Sequence, residues 1–188
     1  AIRRAERSID DKNPDLAGKE REDVARAVGI GAVKYADLST ERTKDYVFDW
    51  EKMLSFEGNT APYLQYAYAR ISSIFRKWGG DRESLRTNFK SLMESEISTL
   101  RSEEILLSRR LVEFPSILDD SVSTFSPHKL CKHLHSIASS FASFYENCGI
   151  LKEDNKIISH RRLALCEVTS RELKLGLEMM GINVPERM

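Results

Sequence analysis

Between Ser126 and Gly149 the apolar side chains fall at Leu130, Leu134, Ile137, Phe141, Phe144 and Cys148, at alternating steps of four and three. That spacing puts them on one stripe of an α-helix, which then needs neighbouring helices to cover it. Ser126 and Pro127 supply the start, because serine suits an N-cap and proline the first helical position, where no N–H bond is lost. Asn147 and Gly149 supply the stop.

The same logic recurs along the chain. Leu64, Ala67, Tyr68, Ile71, Ile74 and Phe75 form a stripe on a helix that opens at Thr60 and closes at Gly79-Gly80. A helix is expected from about Ser98 to Phe114 with Leu100, Leu106, Leu107 and Leu111 inside. Pro115 should break it, leaving Ser116 to Val122 as a further short helix. Ser159 should begin the last helix, with Leu163, Cys166, Ser170, Leu173, Leu177 and Met180 on one face and Gly181 after it.

Upstream, residues 1 to 10 read as a charged helix broken by Asp11, Lys12, Asn13 and Pro14, and Lys19 to Tyr35 as a second helix. Val24, Ala27, Val28, Ile30, Gly31 and Ala32 make its buried stripe. Gly29 and Gly31 cost helix propensity there, so they point to close packing or a bend. Ser39 to Lys44 is a polar break. Tyr46 to Trp50 alternates like a brief extended piece, followed by a helical turn ending near Phe56. Residues 81 to 97 read as a looser connection. With strand signals almost absent, the fold class is all-α, a helical bundle. The texture changes near residue 56, which separates a mostly helical connector (1–56) from the bundle (57–188).

The 188 residues can bury a proper core, and 41% apolar content is too high for a disordered chain. The 29 basic and 29 acidic side chains cancel, so any contact with nucleic acid must rest on a local patch. One such stretch runs from Tyr68 to Lys90, where Arg70, Arg76, Lys77, Arg82, Arg86 and Lys90 outnumber Asp81 and Glu83. Three widely spaced cysteines, Cys131, Cys148 and Cys166, argue for reduced thiols and a cytoplasmic location. No apolar run approaches the roughly 18 to 20 residues that cross a bilayer, and no signal-peptide pattern opens the chain. The first residues, Ala-Ile-Arg-Arg-Ala-Glu-Arg, already read as mid-helix, so the chain is expected to be a piece of a longer protein.

Chemistry-bearing clusters are few. His128, Cys131, His133 and His135 share one helix, yet zinc takes four ligands or three plus water, and no second Cys/His cluster completes a set. No metal site is expected, and the histidines read as lying on a wet helix face. No Gly-x-Ser-x-Gly elbow is present. Among the tyrosines, Tyr68 falls on the apolar stripe and reads as core. Tyr66 lies off that stripe, and Tyr145 sits at a helix end beside the Phe141–Phe144 seam. Both can serve as platforms for unstacked bases, although either can equally be packing. Arg109-Arg110 and Arg161-Arg162 are lesser basic doublets.

Two stretches carry a resemblance. Ser-Phe-Glu-Gly-Asn-Thr-Ala-Pro-Tyr-Leu-Gln-Tyr-Ala-Tyr-Ala-Arg-Ile-Ser-Ser-Ile-Phe-Arg (55–76) and the closing Leu-Gly-Leu-Glu-Met-Met-Gly-Ile-Asn-Val-Pro-Glu-Arg-Met (175–188) resemble the C-terminal part of class I arginyl-tRNA synthetases. The likeness covers nearly the whole chain. It implies that residues 1–56 join a catalytic Rossmann core, elsewhere in the same chain, to a helical anticodon-binding domain at 57–188. It further implies that arginine tRNA is the partner, with ATP and magnesium used by the complete enzyme, which in this family needs tRNA to activate arginine. No membrane role and no cofactor within these residues are implied. The middle anticodon base, a cytosine, would be read by Tyr66, Tyr145 and Met188. Met188 suits the task because its backbone can reach a base while its soft side chain packs on the ring. Arg70, Arg76, Lys77 and Arg86 would hold phosphates, each of them otherwise a solvated face. Lys52-Met53-Leu54-Ser55 departs from the family's phosphate-binding loop by lacking its second lysine, and a His-Ile-Gly-His sequence is missing. No catalytic residue is therefore expected. A stand-alone helical protein-interaction module without RNA binding is the rival reading; it suits the zero net charge and leucine-rich seams.

Overall fold

The structure, a computed structural model, describes residues 1–13, 15–95 and 97–188. Among them the regular structure is helical, without a strand. The helices are α1 (Ile2–Lys12), α2 (Gly18–Leu38), α3 (Trp50–Met53), α4 (Ala61–Trp78), α5 (Arg82–Thr87), α6 (Phe89–Glu94), α7 (Ser102–Ser123), α8 (Pro127–Asn147) and α9 (Lys156–Met179). A 3-10 turn at Ile97–Thr99 precedes α7.

The expected stripes of α4 and α8 become the core, whereas Leu106, expected inside, is exposed on α7. Five seam residues of α8 and Cys148 just past its end are buried, and they meet Leu64, Ile71 and Phe75 of α4, Leu107 and Leu111 of α7, and Leu163, Leu173 and Leu177 of α9. Tyr35 of α2 reaches into this core, its hydroxyl 2.6 Å from Asn59 Oδ1 and 2.9 Å from the Cys131 carbonyl oxygen. A second apolar cluster joins α1 to α2 through Ala5, Ile9, Leu16, Val24, Val28 and Ala32, with Met53 and Leu54 beneath. Gly29 is where α1 comes closest. A Cβ there would stand 2.9 Å from the Ile2 backbone, so the glycine serves close packing and not a bend.

Helix ends follow local chemistry. Thr60 caps α4 by accepting from Tyr63 N–H, and Gly79 ends it at φ 67°, a left-handed conformation that glycine adopts without a Cβ clash. Asp49 and Asp81 cap α3 and α5 in the same side-chain manner.

Several expectations are corrected. Helix α7 runs through Pro115, which lies on the exposed side, where water can take the carbonyl it frees. Buried Leu107, Leu111, Phe114 and Ser121 keep the helix against its neighbours on both sides of the proline. The looser stretch at 81–97 contains α5 and α6, with Glu96 outside the described residues. Ser126 stands at the N-cap of α8 without capping, its hydroxyl donating instead to the Thr124 carbonyl. Helix α9 starts at Lys156, because Asn155 accepts from Ile157 and Ile158, while Ser159 donates back to Ile150. Helix α1 ends at Lys12, and Pro14, part of the expected break, lies outside the described residues. Tyr46 to Asp49 form no regular element. His133 does not sit on a wet face: it is buried against Phe114, and His135 is half-buried against Tyr63.

The basic doublet at 161–162 is also internal. Arg161 and Glu104 are both fully buried and paired at 3.1 Å, and Arg162 reaches Glu153 at 2.8 Å and the Gly149 carbonyl at 2.6 Å. The same Glu104 accepts from the Arg101 backbone N–H, so one carboxylate starts α7 and neutralises α9.

Candidate nucleic-acid interface

Helix α4 turns one edge to solvent with Tyr66, Arg70, Ser73 and Arg76, and buried Ala69 lies at its foot. Opposite it stand Tyr145 at the end of α8, Arg187 and Met188 of the C-terminal tail, and Asn13, Asp15, Leu16 and Glu20 between and on α1 and α2. Together they enclose an open cleft of about 540 Å³. Tyr66, Tyr145, Met188, Arg70 and Arg76, separated by up to 122 positions in sequence, thus line one cavity.

Inside the cleft the guanidinium of Arg70 lies between two rings. Its carbon is 4.8 Å from the Tyr66 ring centre and 5.1 Å from that of Tyr145. One Arg70 Nη2–H also donates to the Tyr66 hydroxyl at 3.1 Å. Each tyrosine is steadied from behind, Tyr66 by an edge contact with Phe56 and Tyr145 by the Phe141 ring. Two aromatic faces and a planar cation at such separations form a surface on which an unstacked base can lie.

The tail after α9 is strapped down by its own carbonyls. Lys34 Nζ donates to Gly181 at 2.6 Å, Gln65 Nε2 to Asn183 at 2.7 Å, Arg76 Nη1 to Glu186 at 3.0 Å and Asn13 Nδ2 to Met188 at 3.1 Å. Buried Gln65 also donates to Ala27 on α2, so it ties three segments at one point. The backbone enters the strap through Gly181 at φ 68°. Met188 then packs against the α1–α2 cluster.

Lys77 and Arg86 are not brought to this cleft. Lys77 is exposed but outside the lining. Arg86 is held by Glu167 at 2.7 Å and Glu83 at 2.8 Å, contacts that raise its affinity for its proton. Arg82 completes that cluster on the same buried Glu167, so these cations serve to dock α5 on α9. Sequence reasoning missed Ala69 and Ser73, which the three-and-four spacing from Tyr66 would have found. It also missed Asn13, Asp15, Leu16 and Glu20, for which no pattern in the chain gives a signal.

Among the described residues the chain is an all-α helical domain with a tyrosine-lined, arginine-bearing cleft beside its tail. The family described as the DALR anticodon binding domain matches residues 64–188, and that described as tRNA synthetases class I (R), catalytic domain, matches residues 1–50. The chain belongs to the DALR anticodon-binding family. Over its whole length it is 45% identical to an arginine–tRNA ligase of Salmonella paratyphi B and 46% identical to one of Enterobacter, spanning 31% of each. Its structure superposes on the arginyl-tRNA synthetase of Thermus thermophilus with a TM-score of 0.87 at 31% identity, covering all of this chain and 31% of that one. The arginyl-tRNA synthetase of Plasmodium falciparum gives 0.84 at 30% identity, covering all of this chain and 32% of that one.

Proposed function

We propose that this chain is the part of an arginine–tRNA ligase that binds arginine tRNA and reads its anticodon loop, with residues 57–188 as the reading domain and residues 1–56 as the joint to the catalytic domain. The convergence of Tyr66, Arg70, Tyr145 and Met188 on one cleft carries the reading. An anticodon loop presents unstacked bases, and the tyrosine faces would supply the stacking that holds them while Arg76 and Arg187, which line the same cleft, would meet phosphates. The middle cytosine would stack on the outer surface of this tyrosine–arginine group, its edge reached from the Met188 backbone. Lys77 and Arg86 keep a part in this proposal only if the phosphate path extends beyond the cleft.

The ligase activity, with its ATP and magnesium, is proposed for the parent enzyme. Among the described residues no cluster of three or more His, Cys, Asp or Glu side chains is placed to hold a metal ion. The setting proposed is the cytoplasm, which suits three buried free thiols. Among the described residues no helix is long and apolar enough to cross a membrane.

The test is a titration with an arginine-tRNA anticodon stem-loop beside a copy whose middle cytosine is changed to uracil. Tighter binding of the cytosine form, lost in Tyr66→Ala or on removing Met188, is the expected result. Equal, salt-sensitive binding of both would reduce the domain to gripping phosphates, because that term is blind to sequence. Apolar docking insensitive to salt would favour the protein-interaction reading instead.

A further inference from the structure

The cleft has one wall that lies in the N-terminal segment, outside the residues matched by the anticodon-binding family. Its centre is Asn13. The residue is fixed in a turn, its N–H donating to Ile9 at 2.8 Å and its carbonyl accepting from Leu16 at 3.3 Å. The half-buried side chain donates Nδ2–H to the Met188 backbone oxygen at 3.1 Å, across 175 positions of sequence. Upstream, Lys34, Gln65 and Arg76 hold the tail at Gly181, Asn183 and Glu186, so they fix its path but leave the final residues free to pivot. Beyond Glu186 the described restraints are the Asn13 bond, the packing of Met188 on the α1–α2 cluster, and a loose pair between Arg187 and Glu20 at 4.0 Å.

We propose that Asn13 is a positioning residue for base reading: it anchors Met188 so that the methionine and its backbone present a fixed edge to the base in the cleft. This rests on the reading of the cleft as the anticodon site. The consequence is that selectivity is shared across the joint, with the N-terminal segment setting the geometry of a residue that the tail contributes. A side-chain donor on a backbone oxygen is directional, whereas packing alone lets the methionine slide. Asn13→Asp keeps the size of the side chain but replaces the donor with an acceptor, which faces the Met188 oxygen without a proton to share.

The experiment compares wild type, Asn13→Ala and Asn13→Asp, each also without Met188, against the cytosine and uracil stem-loops. A ¹³C-methyl methionine spectrum follows the Met188 methyl in parallel, and melting by circular dichroism checks the fold. Both substitutions should lower the cytosine-to-uracil affinity ratio by about three- to tenfold, as loss of one positioned hydrogen bond allows. In Asn13→Ala the salt dependence should stay as in wild type, since no phosphate contact is lost and no charge is added. In Asn13→Asp the Met188 methyl should move toward its unstructured position. Without Met188, Asn13 substitutions should cause no further loss of discrimination, because both act through one contact. An unmoved methyl together with an intact ratio in Asn13→Asp overturns the role of Asn13 alone. Losses that add independently of Met188 overturn the proposed route. A wild type that binds both stem-loops equally overturns the anticodon reading, and base positioning by Asn13 with it.

Discussion

Arg70 and Tyr66 are held in two ways at once, by the guanidinium lying 4.8 Å from the ring centre and by an Nη2–H bond of 3.1 Å to the ring's own hydroxyl. They are one helical turn apart on α4, so the pair is built by local geometry and needs no distant element to align it. The ring, and not the hydroxyl, is what a base would use. Tyr66→Phe should therefore bind an arginine anticodon stem-loop within about threefold of wild type, losing one modest hydrogen bond. Tyr66→Leu removes the π-face and should cost about 1–3 kcal/mol of binding. Titrations at one fixed salt concentration decide it, and equal losses in the two variants would assign the role to the hydroxyl.

The buried pair of Glu104 and Arg161 makes a different demand. Both side chains are fully shielded, and Arg162 adds a second cation 3.6 Å from the same carboxylate. Glu104→Ala should destabilise the bundle by about 3–5 kcal/mol, because it removes the carboxylate that neutralises fully buried Arg161, while Arg162 keeps Glu153. Glu83→Ala, which removes an exposed partner of Arg86, should cost less than about 1 kcal/mol. Urea denaturation of the two variants side by side provides the comparison; similar midpoints would mean that water reaches Arg161.

The helices of the core were legible because their stripes are long and uninterrupted, as in α4 and α8, where the residues expected inside are the residues found inside. Pro115 misled because the rule that proline ends helices is local, while α7 is held from outside by contacts along both of its halves. Tyr66 and Arg70 could be placed on one edge from periodicity alone, which would have put Lys77 there ahead of Arg76. That Tyr145 and Met188 join them depended on resemblance, since no spacing relates residues so far apart in sequence. Asn13 and the rest of the opposing wall were invisible for a physical reason: a side-chain bond to a distant backbone oxygen leaves no periodicity and selects no unusual residue type. Arg86 looked like a free cation because Glu167, its buried partner, lies 81 positions away.

Close approach of α1 to α2 gives a test of the N-terminal unit. A Cβ on Gly29 would lie 2.9 Å from Ile2 Cα and Ile2 N, which are backbone atoms that cannot rotate away. Alanine gains about 1 kcal/mol of helix propensity there, but overpacking against backbone costs about 1–3 kcal/mol. Gly29→Ala should therefore destabilise by up to about 2 kcal/mol in urea. It should also shift the turn at Asn13, at the far end of α1. A stabilised variant would show that α1 yields readily and is not firmly docked.

Glu172 sets the pH dependence of stability. It is half-buried on α9, its Oε2 has no hydrogen-bond partner among the described residues, and burial pushes its carboxyl up to about 8 from an ordinary 4.5. The folded protein therefore keeps a proton that the unfolded chain releases across that interval. Stability from this group is fully present below about 4.5 and is lost as pH rises through about 8. His133 and His135 act in the opposite direction. Burial holds both below the usual 6.5, so the unfolded chain takes up protons first and stability falls as pH drops below that value. Glu172→Gln keeps the shape and removes the ionisable group, which should flatten the alkaline side of the curve only. The variant should melt higher than wild type near pH 8.5 and close to it near pH 5, while both still lose stability on the acid side. Melting temperatures followed by circular dichroism across that range test the assignment. Parallel curves would mean that the Glu172 carboxyl reaches water in the folded state.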